Sequence, residues 1–326
     1  MSADTLPTGF ITVPLEDAPP EAGPPRLRSV TAAELLTMSL PPRACALEPV
    51  IPLPGLAMIY APRGAGKTFV ALSIGHAVAS GGTVLKWRAP APRRVLYVDG
   101  EMPAAQLQER LARLIRGAST HPPEADFLRF LAADLAAEGL PSIARPETQR
   151  ALEAELAATK AEVVILDNLS TLAAGLRENE ADDWGDLQTW LLRLRRLGKS
   201  VVLVHHAGKA GQQRGTSRRE DALDTVIALR RAGDYVPTQG ASFECHIEKA
   251  RGLAAGPAAA PFSASLIETP EGGLTWAWAD LADAQRERAA EMLASGMSIR
   301  DVAEETGLSR SAVHRMKQAG AANGRA

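Results

Sequence analysis

Short apolar runs at residues 56–60, 95–98, 163–166 and 201–204 punctuate the first two thirds of the chain. Each is too short for a helix and too evenly apolar for a half-exposed strand, so the pattern predicts central strands buried on both faces. The stretches between them have a longer period. Phe69, Val70, Leu72, Ile74 and Val78 follow the first run at helical spacing, as Leu107, Leu111, Leu114 and Ile115 follow the second. Pro146, at a first-turn position, opens a further helix through Leu152 and Leu156, and another is expected over 184–197. Residues 83–87 and 127–131 read as additional strands. Strands alternating with helices predict an α/β fold with a mainly parallel sheet and right-handed crossovers. Later strands, at 224–230, 242–249, 262–267 and 274–278, have no helices between them and predict an antiparallel extension.

The ends of the chain differ from this middle. Residues 1–28 carry six prolines and few large apolar groups, which predicts a flexible tail. Thr31 with Glu34 forms a capping-box pattern that opens a short helix, stopped by Pro41 and Pro42. From residue 281 the pattern changes to short helices. The reading is therefore a tail over 1–28, an α/β domain over 29–280 and a small all-α domain over 281–326.

The stretch Ala61-Pro62-Arg63-Gly64-Ala65-Gly66-Lys67-Thr68 joins the first strand to the first helix. Its spacing is that of a phosphate-cradling loop. Gly64 and Gly66 let backbone N–H groups, including those of Arg63, Ala65 and Phe69, approach phosphate oxygens. Lys67 offers a point charge to the β- and γ-phosphates, and Thr68 a hydroxyl to Mg²⁺. The helix beginning there adds its positive dipole end. Ala61 stands where the pattern has its first glycine, a position that shapes the approach of the chain more than the phosphate contact.

Composition changes the picture little. Hydrophobic residues make up 46% of the 326 and aromatics 4%, so alanine, valine and leucine must fill the interior. A formal net charge of −2 gives no global basic field, and any nucleic-acid contact must come from local patches. Two cysteines, Cys45 and Cys245, make no disulfide framework. No apolar run reaches membrane-spanning length, and the N-terminus has no signal pattern. A cytoplasmic protein without a membrane partner is expected.

Three further features sharpen the phosphate-binding reading toward ATP hydrolysis. Asp167 ends the 163–166 run, where an acid can hold Mg²⁺ beside Thr68. Glu101 follows the 95–98 run, where a carboxylate can orient or deprotonate an attacking water; its plainer role is an acid at a helix N-terminus. Lys249 and Arg251 end a late strand at i, i+2, so they are expected on one face, suited to a γ-phosphate reached from a neighbouring subunit or simply solvated. His205-His206 cannot chelate one metal together, because adjacent strand residues point apart.

Together APRGAGKT (61–68), VLYVDGE (95–101), VVILDN (163–168), VVLVHH (201–206), RGTS (214–217) and KAR (249–251) resemble the RecA-like ATPase core, and within it the RepA-type plasmid replicative helicases and related mobile-element ATPases. The resemblance spans roughly residues 30–280. It implies ATP and Mg²⁺ as ligands, Glu101 as the catalytic glutamate and His205 as a γ-phosphate sensor. It also implies Lys249 and Arg251 as a pair acting across an interface, in a homo-oligomeric ring or filament with ATP sites between subunits, the hexameric ring being the first expectation. The glycine-rich basic loop after His206, with Lys209 and Arg214, is expected to contact single-stranded DNA; it has no aromatic for base stacking.

The C-terminal stretch ASGMSIRDVAEETGLSRSAVHRMKQ resembles the helix-turn-helix of resolvases and transposase-like regulators. Ser298 and Asp301 form a capping pattern for its middle helix, and Gly307-Leu308 makes the turn. By that resemblance the last helix is the recognition helix for duplex DNA. Its exposed face offers Arg310, His314, Arg315 and Lys317 to DNA, with Arg310 then expected at base edges and Arg315 and Lys317 at phosphates. A three-helix packing module is the non-DNA reading. The expectation is a DNA-dependent, helicase-like ATPase. The second reading is a regulatory DNA-binding ATPase in which ATP controls assembly without unwinding.

Overall fold

The computed structural model describes residues 29–39, 44–175, 181–208, 221–232, 235–236, 238, 240–253 and 256–323. The tail expected over 1–28, and Lys209 and Arg214 of the basic loop, lie outside these. The N-terminal unit contributes one short helix, α1 (Ala32–Thr37). Thr31 and Glu34 cap it reciprocally, as their spacing predicts.

The rest is built on a nine-stranded sheet. Its parallel part contains β3 (Gly55–Ala61), β6 (Val95–Asp99), β7 (Leu128–Ala132), β8 (Val163–Asp167), β9 (Ser200–His206) and β10 (Thr225–Arg230). The antiparallel extension contains β11 (Ser242–Ala250), β12 (Phe262–Glu268) and β13 (Leu274–Asp280). The order across the sheet is β13-β12-β11-β10-β3-β9-β8-β6-β7. Two small hairpins stand outside it, β1 (Ala44–Leu47) with β2 (Ile51–Leu53) and β4 (Thr83–Val84) with β5 (Trp87–Arg88). The single strand expected over 83–87 is thus two short ones, because the chain turns at Leu85 with φ of 54°.

Every residue of β3, β6 and β8 is buried. Ile59, Tyr97 and Ile165 face one core with α2 (Lys67–Ser80), and Met58, Leu96 and Val164 face another with α4 (Pro146–Ala158) and α6 (Ala181–Arg196). That two-sided burial is why these runs lack polar alternation. Helix α3 (Ala104–Arg116) follows β6, and the short α5 (Leu169–Leu172), which the sequence pattern does not suggest, follows β8. The antiparallel strands return over α2, where the Trp276 indole donates to Ser73 Oγ at 2.9 Å.

Three helices follow β13 directly: α7 (Leu281–Ala294), α8 (Ile299–Thr306) and α9 (Arg310–Asn323). They share a small core of Ala289, Val302, Ala303 and Val313. Ser298 caps α8 by accepting from the Asp301 N–H, and Gly307 closes it at φ of 70°. Among the described residues, no helix is long and apolar enough to cross a membrane.

Candidate active site

The parallel strands end together, and the candidate residues collect at their C-terminal edge. The loop from Ala61 to Thr68 leaves β3 and turns into α2. Gly64 and Gly66 hold φ of 74° and 96°. A Cβ on Gly66 would lie 2.7 Å from that of Ala241, so glycine is required there twice over. The Lys67 ammonium is buried and donates to the carbonyls of Ala61 at 3.3 Å and Pro62 at 3.1 Å. Burial lowers its pKa; the nearby Asp167 and Glu101 carboxylates oppose that, while Arg63 and Arg231 add to it.

Asp167 closes β8 and is 4% exposed. Burial pushes its carboxyl up to about 6, against hydrogen bonds from Tyr97 and Thr68. Tyr97 Oη donates to Asp167 Oδ2 at 2.6 Å, and burial, with Asp167 beside it, holds that phenol well above its usual range. The Thr68 hydroxyl and the Asp167 carboxylate therefore meet in one place. Two hard oxygen donors in contact suit Mg²⁺ and not a soft metal.

Asp99 closes β6, opposite Asp167 in register. Its buried carboxylate, raised by desolvation, accepts from the N–H groups of Glu101 at 3.0 Å and Met102 at 2.7 Å. That turn delivers Glu101 into the cleft, where Asn168 Nδ2 donates to Glu101 Oε2. The cleft holds about 470 Å³, and Gly66, Lys67, Thr68, Glu101, Asp167 and Asn168 are among its lining. Gathered here from the expected set are Arg63, Gly64, Gly66, Lys67, Thr68, Phe69, Glu101 and Asp167. Ala65 is buried beneath the loop.

Two expectations need correction. The histidine on the cleft is His206, not His205: His205 is 1% exposed, within the sheet, and His206 lines the cavity. Alternation along β9 allows only one of the pair to face it. Arg251 lies beyond the end of β11, so the strand alternation that would align it with Lys249 does not reach it. Its backbone N–H bonds to Asp224 O at 2.7 Å, and its guanidinium donates to Asp221 O. Lys249 pairs with Val226 and Thr225 with Ala57, so both cations sit toward the N-terminal end of β3. At a strand rise of about 3.3 Å per residue, that is more than about 10 Å from this chain's own loop.

Two arginines join the site without a motif to mark them. Arg110 on α3 lines the cleft with its Cζ 4.9 Å from the Phe69 ring centroid. Arg231, just past β10, donates from Nη2 to Arg63 O at 2.8 Å and stacks at 4.4 Å on Tyr235. In the sequence Arg231 shows only as a charge after an apolar run, and its place at the site follows from the pairing of that strand with β3. On α9, Arg310, His314, Arg315 and Lys317 are all exposed.

The sheet order, the glycine loop opening α2 and the acid-ended neighbouring strands define a RecA-like P-loop ATPase carrying a C-terminal helix-turn-helix. A family model described as an AAA domain matches residues 21–212, and the chain belongs to that family. A second, the helix-turn-helix domain of resolvase, matches residues 280–320. The fold is similar to a crystal structure of a KaiC-like protein from the hyperthermophilic archaeon Pyrococcus horikoshii. The TM-score is 0.50 at 15% identity, covering 72% of this chain and 98% of that one. No curated protein matches.

Proposed function

We propose that the cleft hydrolyses ATP between subunits and that the chain works on DNA, as a helicase-like member of the RepA-type mobile-element ATPases. The observation that carries hydrolysis is the Glu101 carboxylate held in one cleft with Lys67, Thr68 and Asp167. A chain that only stored ATP would need no such base. The loop N–H groups and Lys67 hold the β- and γ-phosphates. Thr68 and Asp167 would hold Mg²⁺, which when bound would neutralise charge on the phosphates. Glu101 orients a water and takes its proton as oxygen attacks the γ-phosphorus, and the bond to the ADP oxygen breaks. His206, which lines the cleft, reports the state of the γ-phosphate to the loop that follows β9.

Arg251 and Lys249 cannot serve their own loop across the sheet. They act on a neighbour's nucleotide, in a closed ring most simply of six. The basic loop after β9 contacts single strands, and the helix-turn-helix expected over 281–326 recruits the ring to duplex DNA.

The exposed basic face of α9 also suits a second reading, a regulatory ATPase whose assembly on duplex DNA is set by ATP without unwinding. Steady-state hydrolysis with and without single-stranded DNA, followed by strand separation on a forked duplex, decides between them. Stimulation and unwinding support the motor. Hydrolysis indifferent to single strands, with no unwinding, supports the regulator.

A further inference from the structure

Along β11, Phe243, Cys245 and Ile247 pack on the core that contains Ile59 and α2, while His246 stands opposite Ala228 of the other core. Unbroken alternation would place Lys249 with the first set. It does not, because the register against β10 shifts between Val226 and Ile227. Ile247 faces Ile227 and Lys249 faces Val226, so Glu248 is an extra residue on β11, a β-bulge. Val226 belongs to the core with Met58 and Tyr60, and residues directly opposite in an antiparallel pair share a face. The bulge therefore turns Lys249 to the Tyr60 side of the sheet. Arg251 is anchored to a stretch on that side: its guanidinium donates to Asp221 O, and Ala222 and Leu223 pack on the same core.

The extra residue is itself tied down. Tyr60 Oη donates to Glu248 Oε2 at 2.6 Å, and Arg230 Nη2 donates to Glu248 Oε1 at 2.7 Å. Both carboxylate oxygens are engaged, one by a charge-assisted bond, and the Glu248 side chain is only 27% exposed, so solvent screens the pair in part. Tyr60 is buried on β3 and reaches Glu248 across β10. Ala228 stands opposite both Tyr60 and His246, and its single methyl lets the phenol cross. A bulge disrupts its ladder, and this one is pinned by side chains from two other strands. Bulges next to active sites re-aim side chains in this way.

We propose that Glu248 is a positioning residue for the Lys249 and Arg251 pair: its bulge sets the face that Lys249 takes, and its carboxylate fixes the bulge to β3 and β10. The inference rests on the reading that this pair acts on a neighbour's nucleotide. Tyr60 immediately precedes the glycine loop, so one competing assignment exists, in which the carboxylate serves this chain's own loop. The two assignments give opposite results when subunits are mixed.

The test uses the full chain. Glu248→Ala should keep ATP affinity within about twofold of the parent while kcat falls about tenfold, a split that damage to its own loop would not give. Mixed before assembly with Lys67→Ala, it should rise above the mean of the two separate preparations, because the Lys67→Ala subunit still offers an intact pair to an intact loop. Mixed with Arg251→Ala it should stay at the mean, because neither subunit offers an intact pair. Glu248→Gln keeps the shape and one acceptor oxygen. It should show the same pattern with a smaller loss, and it carries the test if the alanine variant does not assemble. The opposite pattern, recovery with Arg251→Ala and none with Lys67→Ala, assigns Glu248 to its own loop and overturns the proposal, as does parental turnover in Glu248→Ala. Arg251→Ala mixed with Lys67→Ala is the control. If that control fails to recover in confirmed hetero-oligomers, the reading of the pair falls and the proposal with it. If the control recovers, the Glu248 mixtures test the proposal alone.

Discussion

The side-chain amide of Asn168 donates to the carboxylate of Glu101, tying the residue after β8 to the residue that leaves β6. Asn168 also caps α5, its Oδ1 accepting from Thr171 N–H at 3.2 Å, so its amide is fixed by a structure independent of nucleotide. Asn168 is thus a positioning residue for the proposed base. Asn168→Ala should lower kcat about tenfold, a fraction of what general-base catalysis contributes. ATP affinity should stay within about twofold, which separates misplacement of the base from collapse of the site. Asn168→Asp, which turns the donor into a like charge, should lose at least as much.

The buried Asp167 carboxyl gives a prediction with a sign. In the folded chain it titrates near 6, above the ordinary aspartate value of 3.8. Its contribution to stability is therefore complete below about pH 4 and is lost as pH rises through about 6. In metal-free, nucleotide-free buffer, Asp167→Asn should melt higher than the parent at about pH 7.5, with the difference vanishing toward about pH 4. The same variant should lose the stabilisation that ATP with Mg²⁺ gives the parent. Thermal denaturation over that pH range checks both.

Much of this site is legible in the sequence because its chemistry fixes residue types at fixed spacing. Gly64, Gly66, Lys67 and Thr68 must be contiguous to wrap one phosphate chain, and Asp167 must close an apolar strand to reach them. What is not legible depends on which strands become neighbours and which face each residue takes. Tyr97 meets Asp167 only because β6 pairs with β8. His205 and His206 exchange roles on a one-residue register choice, which an apolar run buried on both faces cannot reveal. Arg110 reads as an ordinary charge beside the Leu107, Leu111 and Leu114 stripe. Its value comes from the packing of α3 beside α2, which sets its guanidinium over the Phe69 ring at the cleft. The fold itself was legible as alternating periods, while the β4–β5 hairpin was not, since a turn at Leu85 carries no glycine or proline to announce it.

The position of Arg251, far from its own glycine loop, can be tested by mixing subunits. Arg251→Ala and Lys67→Ala should each be inactive alone. Mixed before assembly they should regain ATP hydrolysis, because some interfaces then pair an intact loop with an intact arginine. Absence of recovery in mixtures shown by mass spectrometry to be hetero-oligomers would remove the trans assignment.

On α9, the exposed basic residues should divide by role. Arg310→Ala should cost about 1–3 kcal/mol of duplex affinity and relax preference at one base pair. Lys317→Ala should weaken all duplexes alike and reduce the salt dependence by about one counterion. Binding titrations against a randomised duplex pool at two salt concentrations distinguish the two.

The most direct test of the central claim is steady-state ATP hydrolysis by the full chain, Glu101→Gln and Lys67→Ala, with ATP binding measured in parallel. The account predicts that Glu101→Gln binds ATP as the parent does while turnover falls at least about a hundredfold, and that Lys67→Ala loses binding and turnover together. Turnover in Glu101→Gln equal to that of the parent would contradict the assignment of Glu101 as the base, and ATP bound without turnover by the parent would contradict the hydrolytic reading of the cleft.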